Sequence, residues 1–178
     1  MIRRQKYLIV DGYNVLRSGS RYKTMAGADY TDDAFNRKRE ALLNDVVTFA
    51  GNEYEAVVVF DGGANAYSRG ETETYGGIKI MFSPAGSSAD RVIERLAQNA
   101  RDRLQECLVV SSDATIQETV FGGVMARMSA EGFCRELAAS YEENHQTFTP
   151  RPAKKNKISG RIDEDTLAKL KALRDSLS

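Results

Sequence analysis

The sequence predicts an α/β fold with a mostly parallel central sheet, on the basis of three observations. Apolar runs such as Leu8-Ile9-Val10 are continuous rather than alternating, which is typical of strands buried on both faces. Stretches with helical periodicity separate these runs, and alternation of strand and helix indicates parallel pairing. Three of the runs end at or just before an aspartate, Asp11, Asp61 or Asp113, which is where open α/β sheets hold their ligands.

Local signals place the elements along the chain. Thr31 and the acids after it open a helix that ends at Gly51, and Ser129 caps another. Residues 17–30 predict a loop or short helical turn, and residues 62–77 predict a long loop at the rim of the site. The predicted strands lie at residues 7–10, 56–60, 78–82, 107–110 and 124–128. The predicted helices lie at residues 31–50, 87–103, 114–120 and 129–141.

The 178-residue chain is expected to form one domain at 1–149, followed by a tail at 150–178. Hydrophobic residues make up 42% and charged residues 28%, an ordinary balance for a globular protein with a buried core. Composition changes at Pro150, where a basic stretch predicts a loosely held linker. Leucines along 163–177 predict a short amphipathic helix that must dock on the domain or on a partner.

Charge, cysteine and histidine content narrow the functional classes. Lys+Arg and Asp+Glu are both 25, so any attraction to a polyanion must come from local patches. No apolar stretch approaches a membrane span and no leader precedes the first strand, so we expect a cytoplasmic protein with no membrane partner. Cys107 and Cys134 fit buried thiols, and His145 is the single histidine, so any metal must be bound by oxygen.

The aspartates are the first candidates for a functional site. If their strands are parallel neighbours, Asp11, Asp61 and Asp113 converge on one edge of the sheet, and such an acidic pocket suits a hard cation. Asp90 joins them if the helix that begins near Ser87 starts beside these strand ends. Simpler roles stay open, since Asp11 and Asp90 are also well placed to cap the turn or helix that follows them.

Phosphodiester hydrolysis fits this set of acids. A divalent metal neutralises phosphoryl charge and activates water, and magnesium needs only a few carboxylates because it keeps several waters. Asn14 is expected to add a neutral oxygen or to orient a water, and Ser112 or Thr115 to hold a carboxylate in place. Glu94 shares a helix face with Asp90 and is either auxiliary to the site or paired with an arginine. The metal-ligand candidates are Asp11, Asp90 and Asp113.

Basic residues near the site predict nucleic-acid contacts. Residues 17–30 interleave basic and aromatic side chains, a pattern that suits single-stranded nucleic acid, although a solvated loop explains it equally well. A basic tail that contacts phosphates has a solvated tail as its simpler alternative. The candidate RNA-binding residues are Arg17, Arg21, Lys23, Arg69, Lys154, Lys155 and Lys157.

Other phosphate chemistries fit the sequence less well. Tyr13 stands where a haloacid-dehalogenase-type phosphatase has its second aspartate, and Gly12-Tyr13 replaces the acidic pair that a receiver domain needs after its first strand. The chain contains no P-loop, and no G-x-G-x-x-G follows a strand.

In these motifs the sequence resembles the YacP-like NYN domains, relatives of the PIN-domain ribonucleases. The motifs are Ile9 to Asn14, Val59 to Gly62, Ser88 to Glu94, Val110 to Asp113, and Gln117 to Ser129. The resemblance implies a PIN-like three-layer α/β/α sandwich and a Mg²⁺- or Mn²⁺-dependent endoribonuclease. It implies RNA as the substrate, with cleavage of mRNA at the ribosome among the family's activities. By motif position it makes Asp11, Asn14, Asp61, Asp90 and Asp113 catalytic candidates and Glu94 an auxiliary one.

The leading hypothesis is therefore an endoribonuclease that cleaves single-stranded RNA through metal-activated water. One alternative is a PIN-like module that binds RNA or the ribosome with little catalysis, although clustered acids give an RNA-binding surface no advantage. Another is a metal-dependent phosphatase or DNA nuclease. The sequence leaves cleavage specificity, the number of metals and the oligomeric state open.

Overall fold

A computed structural model describes residues 5–25, 32–62, 69–120 and 122–147 of this chain. Its strands are β1 (Lys6–Asp11), β2 (Tyr54–Phe60), β3 (Thr72–Tyr75), β4 (Ile78–Phe82), β5 (Cys107–Val110) and β6 (Met125–Met128). Its helices are α1 (Gly12–Ser18), α2 (Ser20–Thr24), α3 (Asp32–Ala50), α4 (Ala89–Asp102), α5 (Ala114–Thr119) and α6 (Ala130–Thr147). None of these described helices is long and apolar enough to cross a membrane.

The strands form one sheet in the order β3-β4-β2-β1-β5-β6. All neighbours are parallel except β3 and β4, which are antiparallel. Strand β1 is central and lies between β2 and β5, with Val10 opposite both Val58 and Val110. The carboxyl ends of β2, β1 and β5 are therefore neighbours on one edge of the sheet, which confirms the predicted parallel arrangement.

Two hydrophobic clusters cover the two faces of this sheet. Leu8 and Val10 of β1 belong to the cluster that includes α1, α3 and α6, whereas Ile9 belongs to the cluster that includes α4 and α5. Successive residues of a strand point to opposite faces, so a continuously apolar strand can supply both clusters at once. The chain is thus the predicted three-layer α/β/α sandwich.

One segment predicted as a loop contains a strand. Residues 62–77 include β3, which pairs with β4 through a hairpin at Gly76 and Gly77, both with positive φ. The prediction of a continuous loop there was wrong because β3 is an exposed, polar edge strand with no apolar run. The segment predicted as a loop or short helical turn is helical at the end of α1 and in α2, where Tyr22 is fully buried rather than exposed. Residues 26–31 and 63–68 lie outside the described residues.

The chain divides into two units, Met1–Glu142 and Glu143–Ser178, and the sheet belongs to the first. The predicted domain boundary at 149/150 lies outside the described residues, as do the basic linker and the amphipathic helix at 163–177. The candidate RNA contacts Lys154, Lys155 and Lys157 lie there too.

Candidate active site

The carboxyl edge of the sheet brings the predicted acids together around one cavity. Asp11 ends β1, Asp61 follows β2, Asp113 lies just beyond β5, and Asp90 stands in the first turn of α4. All four line a cavity of about 440 Å³. The residues that share the lining with them are Tyr13, Asn14, Arg17, Ser18, Ser88 and Ala89.

Asp11 is the most buried of these acids, with 6% of its surface exposed. Its carboxylate caps α1 by accepting a hydrogen bond from the backbone N–H of Asn14 (3.2 Å), and it accepts another from the hydroxyl of Ser111 (3.1 Å). Burial raises the pKa of Asp11, these two hydrogen bonds lower it, and the charges of Asp90 and Asp113 raise it further. Asp11 is therefore both the cap that the simpler interpretation expected and a member of the acidic group.

Ser111 connects two of the acids, and the sequence analysis did not select it. Its hydroxyl donates to Asp11 Oδ2 and accepts from the backbone N–H of Asp113 (3.1 Å), and the residue is 1% exposed. Ser112 was expected in this role, but its hydroxyl accepts from the backbone N–H of Ala130 at the start of α6 (3.0 Å). Ser112 therefore holds α6 in place, while Ser111 holds Asp11.

Ser83 has the same relation to Asp61 that Ser111 has to Asp11. Its hydroxyl donates to Asp61 Oδ1 (2.9 Å) and accepts from the backbone N–H of Gly62 (3.0 Å), and its exposure is 0%. In both cases the serine directly follows the strand next to the one that carries the aspartate. Since Phe60 pairs with Phe82, and Val10 pairs with Val110, each serine stands beside its aspartate in register. A serine immediately after a neighbouring strand was the signal that could have identified both.

The side-chain oxygen of Asn14 is engaged within the protein, which leaves the expected role of orienting a water, and Thr115 contacts the site through its main chain. Asn14 Oδ1 accepts from the backbone N–H of Ser112 (2.7 Å), which ties α1 to the loop after β5. Its side-chain NH₂ is then the group that can donate to a water or a phosphate oxygen. Asp113 Oδ1 caps α5 by accepting from the backbone N–H of Thr115 (2.8 Å), so the contact uses the main chain of Thr115 and not its hydroxyl.

Asp90 enters the cavity from α4 and is exposed to solvent. The cap of this helix is Ser88, whose hydroxyl accepts from the backbone N–H of Arg91 (3.4 Å). The pKa of Asp90 is raised by partial burial first, and then by the charges of Asp113, Glu94 and Asp61. Glu94 is not one of the residues that line the cavity, so its effect there is electrostatic.

The donor set fits a hard divalent cation that keeps much of its water. Every polar ligand available from the four acids is a carboxylate oxygen, which Mg²⁺ prefers. Among the described residues, no three His, Cys, Asp or Glu side chains form a ready-made cage. Neighbouring acids of the cavity raise the pKa of Asp11 and of Asp90, and a bound cation would relieve that repulsion. Asp11, Asp90 and Asp113, with Asp61 beside them, are the residues that could hold it.

The basic candidates have different surroundings. Arg17 is exposed, lines the cavity and lies over the ring of Tyr13, 5.9 Å from its centroid. Arg21 makes a paired contact with the buried Asp45, at 2.7 Å through Nε and 3.1 Å through Nη2, which anchors α2 to α3. Lys23 on α2 and Arg69 before β3 are exposed.

The sheet order and the acid-lined cavity at its carboxyl edge have the arrangement of a PIN-like nuclease domain. The chain belongs to the YacP-like NYN domain family, whose model matches residues 8–175. It is 29% identical over 133 residues to the uncharacterized protein YacP of Bacillus subtilis (strain 168), covering 73% of this chain and 74% of that one.

Two crystal structures of Rae1 (YacP) from Bacillus subtilis have the same fold. A mutant form superposes with a TM-score of 0.64 at 23% identity, covering 95% of this chain and 99% of the other. A second structure gives a TM-score of 0.61 at 24% identity, covering 96% and 95% of the two chains. Membership of the family indicates a nucleic-acid function of the nuclease type, and such domains generally use divalent metals.

Proposed function

We propose that this protein is a divalent-metal-dependent endoribonuclease that cleaves single-stranded RNA. The observation that carries the proposal is the convergence of Asp11, Asp61, Asp90 and Asp113 on one cavity. A protein surface that only binds RNA gains nothing from four acids placed together, because they repel the phosphate backbone. A divalent cation would explain their presence, because it would offset the repulsion between the acids and a phosphate.

In this proposal Asp11, Asp90 and Asp113 would hold Mg²⁺ or Mn²⁺. Such a metal would supply neutralisation of phosphoryl charge and a lower pKa for the attacking water. Ser111 holds Asp11 in place, and its hydrogen bond lowers the pKa of that carboxyl. Asp61, exposed and held by Ser83, accepts the proton of the attacking water. The NH₂ group of Asn14 donates to a phosphate oxygen or to that water.

The substrate chain is held outside the acid cluster by basic side chains. Arg17 stands at the cavity itself and is placed to bind the phosphate next to the cleaved one. Lys23 and Arg69 extend the basic surface, whereas the role of Arg21 is to fix α2 through Asp45. The basic tail with Lys154, Lys155 and Lys157 is proposed to contact RNA or the ribosome, which would present mRNA to the site.

The test is cleavage of a labelled single-stranded RNA in Mg²⁺ or Mn²⁺. Asp11→Asn and Asp90→Asn are expected to lower the rate by a hundredfold or more, since each removes a charge that holds the metal. Asp102→Asn is the matched control, because Asp102 is an exposed acid in the last turn of the same helix as Asp90. Its rate is expected to equal that of the wild type.

Other outcomes identify the alternatives. RNA or ribosome binding without cleavage, on free RNA and on translating ribosomes, would replace the nuclease with a binding module. Faster hydrolysis of DNA or of nucleotide phosphates than of RNA would instead indicate a DNA nuclease or a phosphatase. Equal loss of activity in Asp102→Asn would show that the effect of Asp90→Asn is not specific to the cavity.

A further inference from the structure

A row of aromatic rings borders the acidic cavity on the side of α3. Phe35, in the first turns of α3, stacks on Tyr13 of α1, with ring centroids 5.7 Å apart and planes 26° apart. Tyr13 in turn meets Phe60 edge to face at 5.3 Å, and Phe60 stacks on Phe82 at 6.0 Å. We call Phe35 and Tyr13 the ring pair. Phe60 is buried, but Phe35 keeps 39% of its surface exposed.

The ring pair is joined to the proposed active site through Tyr13. Tyr13 lines the cavity together with the four acids, and Phe35 stacks on Tyr13, so the ring of Phe35 is one ring removed from the cavity lining. Arg17, one turn along α1 from Tyr13, places its guanidinium over the Tyr13 ring. Within the described part of the chain, Arg17 is the one basic residue in the cavity lining.

A second guanidinium lies further along the row. Arg39, one turn along α3 from Phe35, places its guanidinium 5.2 Å from the ring centroids of both Phe60 and Phe82. Stacked rings accompanied by guanidinium groups are the combination that binds single-stranded nucleic acid, since rings take the bases and cations take the phosphates. A single exposed ring is too small a patch for a stable protein interface, but it matches the face of one nucleobase.

We propose that Phe35, supported by Tyr13, is the platform on which one unpaired RNA base stacks while the adjoining phosphate lies in the acidic cavity. Arg17 holds the phosphate between the stacked nucleotide and the cleaved bond. This inference rests on the proposed function, because it takes the cavity as the place where RNA is cut. It explains a preference for single strands, since a base in a duplex cannot present its face to the ring. It also predicts little sequence preference, because every base has a stacking face.

The test separates binding from cleavage. A short fluorescent single-stranded RNA is titrated with the full-length protein in Ca²⁺. The titration is then repeated with a series of RNAs, each of which lacks the base at one different position. Phe35→Ala is expected to weaken binding of the intact RNA about fivefold to tenfold. Phe35→Tyr, which keeps a ring, is expected to bind like the wild type. Leu104→Ala is the control, because Leu104 is the most exposed large apolar residue described, at 79%, and lies beyond the far end of α4.

The signature of stacking is the loss of the Phe35→Ala effect on one abasic RNA. If wild type and Phe35→Ala bind that RNA equally, the missing base is the one that Phe35 holds. A fluorescent adenine analogue at the same position should be quenched by the wild type and by Phe35→Tyr, but not by Phe35→Ala.

Binding that is unchanged in Phe35→Ala overturns the platform, whether or not the wild type cleaves RNA. Loss of affinity that persists on every abasic RNA also overturns it, because the effect would then be structural. Failure of the wild type to bind single-stranded RNA overturns it as well. Base-dependent binding without cleavage in Mg²⁺ or Mn²⁺, both on free RNA and on translating ribosomes, overturns the proposed nuclease function and leaves the platform standing.

Discussion

Removal of one hydroxyl, in Ser111→Ala, is expected to destabilise the fold by about 2.5–4 kcal/mol at neutral pH. A hydrogen bond to a charged group contributes about 1.5–3 kcal/mol and a neutral one about 1 kcal/mol. Ser111 makes one of each, to the Asp11 carboxylate and from the backbone N–H of Asp113, and it is buried. The variant leaves both partners without that contact in a site that water reaches poorly.

The loss is expected to depend on pH in a definite direction. The folded-state pKa of Asp11 is already raised, so its charge costs more stability as the pH rises through that pKa. The hydrogen bond from Ser111 lowers that pKa, and its removal raises the pKa further. The difference between wild type and variant should therefore be largest at neutral pH. The difference should shrink to about 1–2 kcal/mol near pH 4. That pH is close to the ordinary carboxyl pKa, so the charge of Asp11 contributes little there.

Urea denaturation at the two pH values measures this difference, and Ser112→Ala is the matched control. The Ser112 hydroxyl is on the neighbouring residue and accepts one hydrogen bond, from the backbone N–H of Ala130. Its removal should cost about 1 kcal/mol at both pH values, because no carboxylate is involved. A pH-independent loss in Ser111→Ala, equal to that of Ser112→Ala, would refute the inference that the Ser111 hydrogen bond lowers the pKa of Asp11.

Three further predictions concern the site and its frame. Asp90→Asn should raise the free energy of unfolding at neutral pH by less than about 1 kcal/mol. Burial and neighbouring acids raise the pKa of Asp90, which is exposed. The wild type therefore loses stability as the pH rises through that pKa, and the variant does not. Urea denaturation should show this gain, along with a smaller stabilisation by added Mg²⁺ than in the wild type. Gly12→Ala should cost about 1–3 kcal/mol, since a Cβ would lie 2.6 Å from Cδ1 of the buried Phe60, and an unchanged melting temperature would contradict this. Asp45→Ala should cost about 2–4 kcal/mol, because it removes the acceptor of the Tyr22 hydroxyl (2.8 Å) in the core, and a loss below 1 kcal/mol by calorimetry would be inconsistent with that account.

The sequence predicted the sheet well because its central strands are apolar on both faces. β1, β2 and β5 each read as a continuous run, and a run of that kind can only be buried between two layers. Their parallel order then placed the strand-end aspartates together without any knowledge of side-chain geometry. By contrast, β3 is an exposed edge strand whose alternation carries no apolar signal, so nothing in its composition separated it from a loop.

The contacts that orient the acids could not be predicted by residue type. Ser111 and Ser112 are chemically identical neighbours, and only the register of β1 and β5 decides which of them meets Asp11. From the sequence, Tyr22 and Arg21 were predicted to lie at the surface, in a basic and aromatic loop or short helical turn. Their contacts with Asp45 depend on the docking of α2 against α3, a tertiary arrangement that a local pattern does not contain.

Two of the cavity aspartates also cap helices, and this second role affects how members of the family can diverge in sequence. Asp11 caps α1 and Asp113 caps α5, so each contributes to folding whether or not RNA is ever cut. Asp90 has no such capping role, because Ser88 caps α4. A descendant that lost the proposed nuclease activity would therefore retain Asp11 and Asp113 under selection for stability alone. Asp90 would be the first of the three to be substituted. The residue at the position equivalent to Asp90 should therefore best distinguish relatives with nuclease activity from relatives without it.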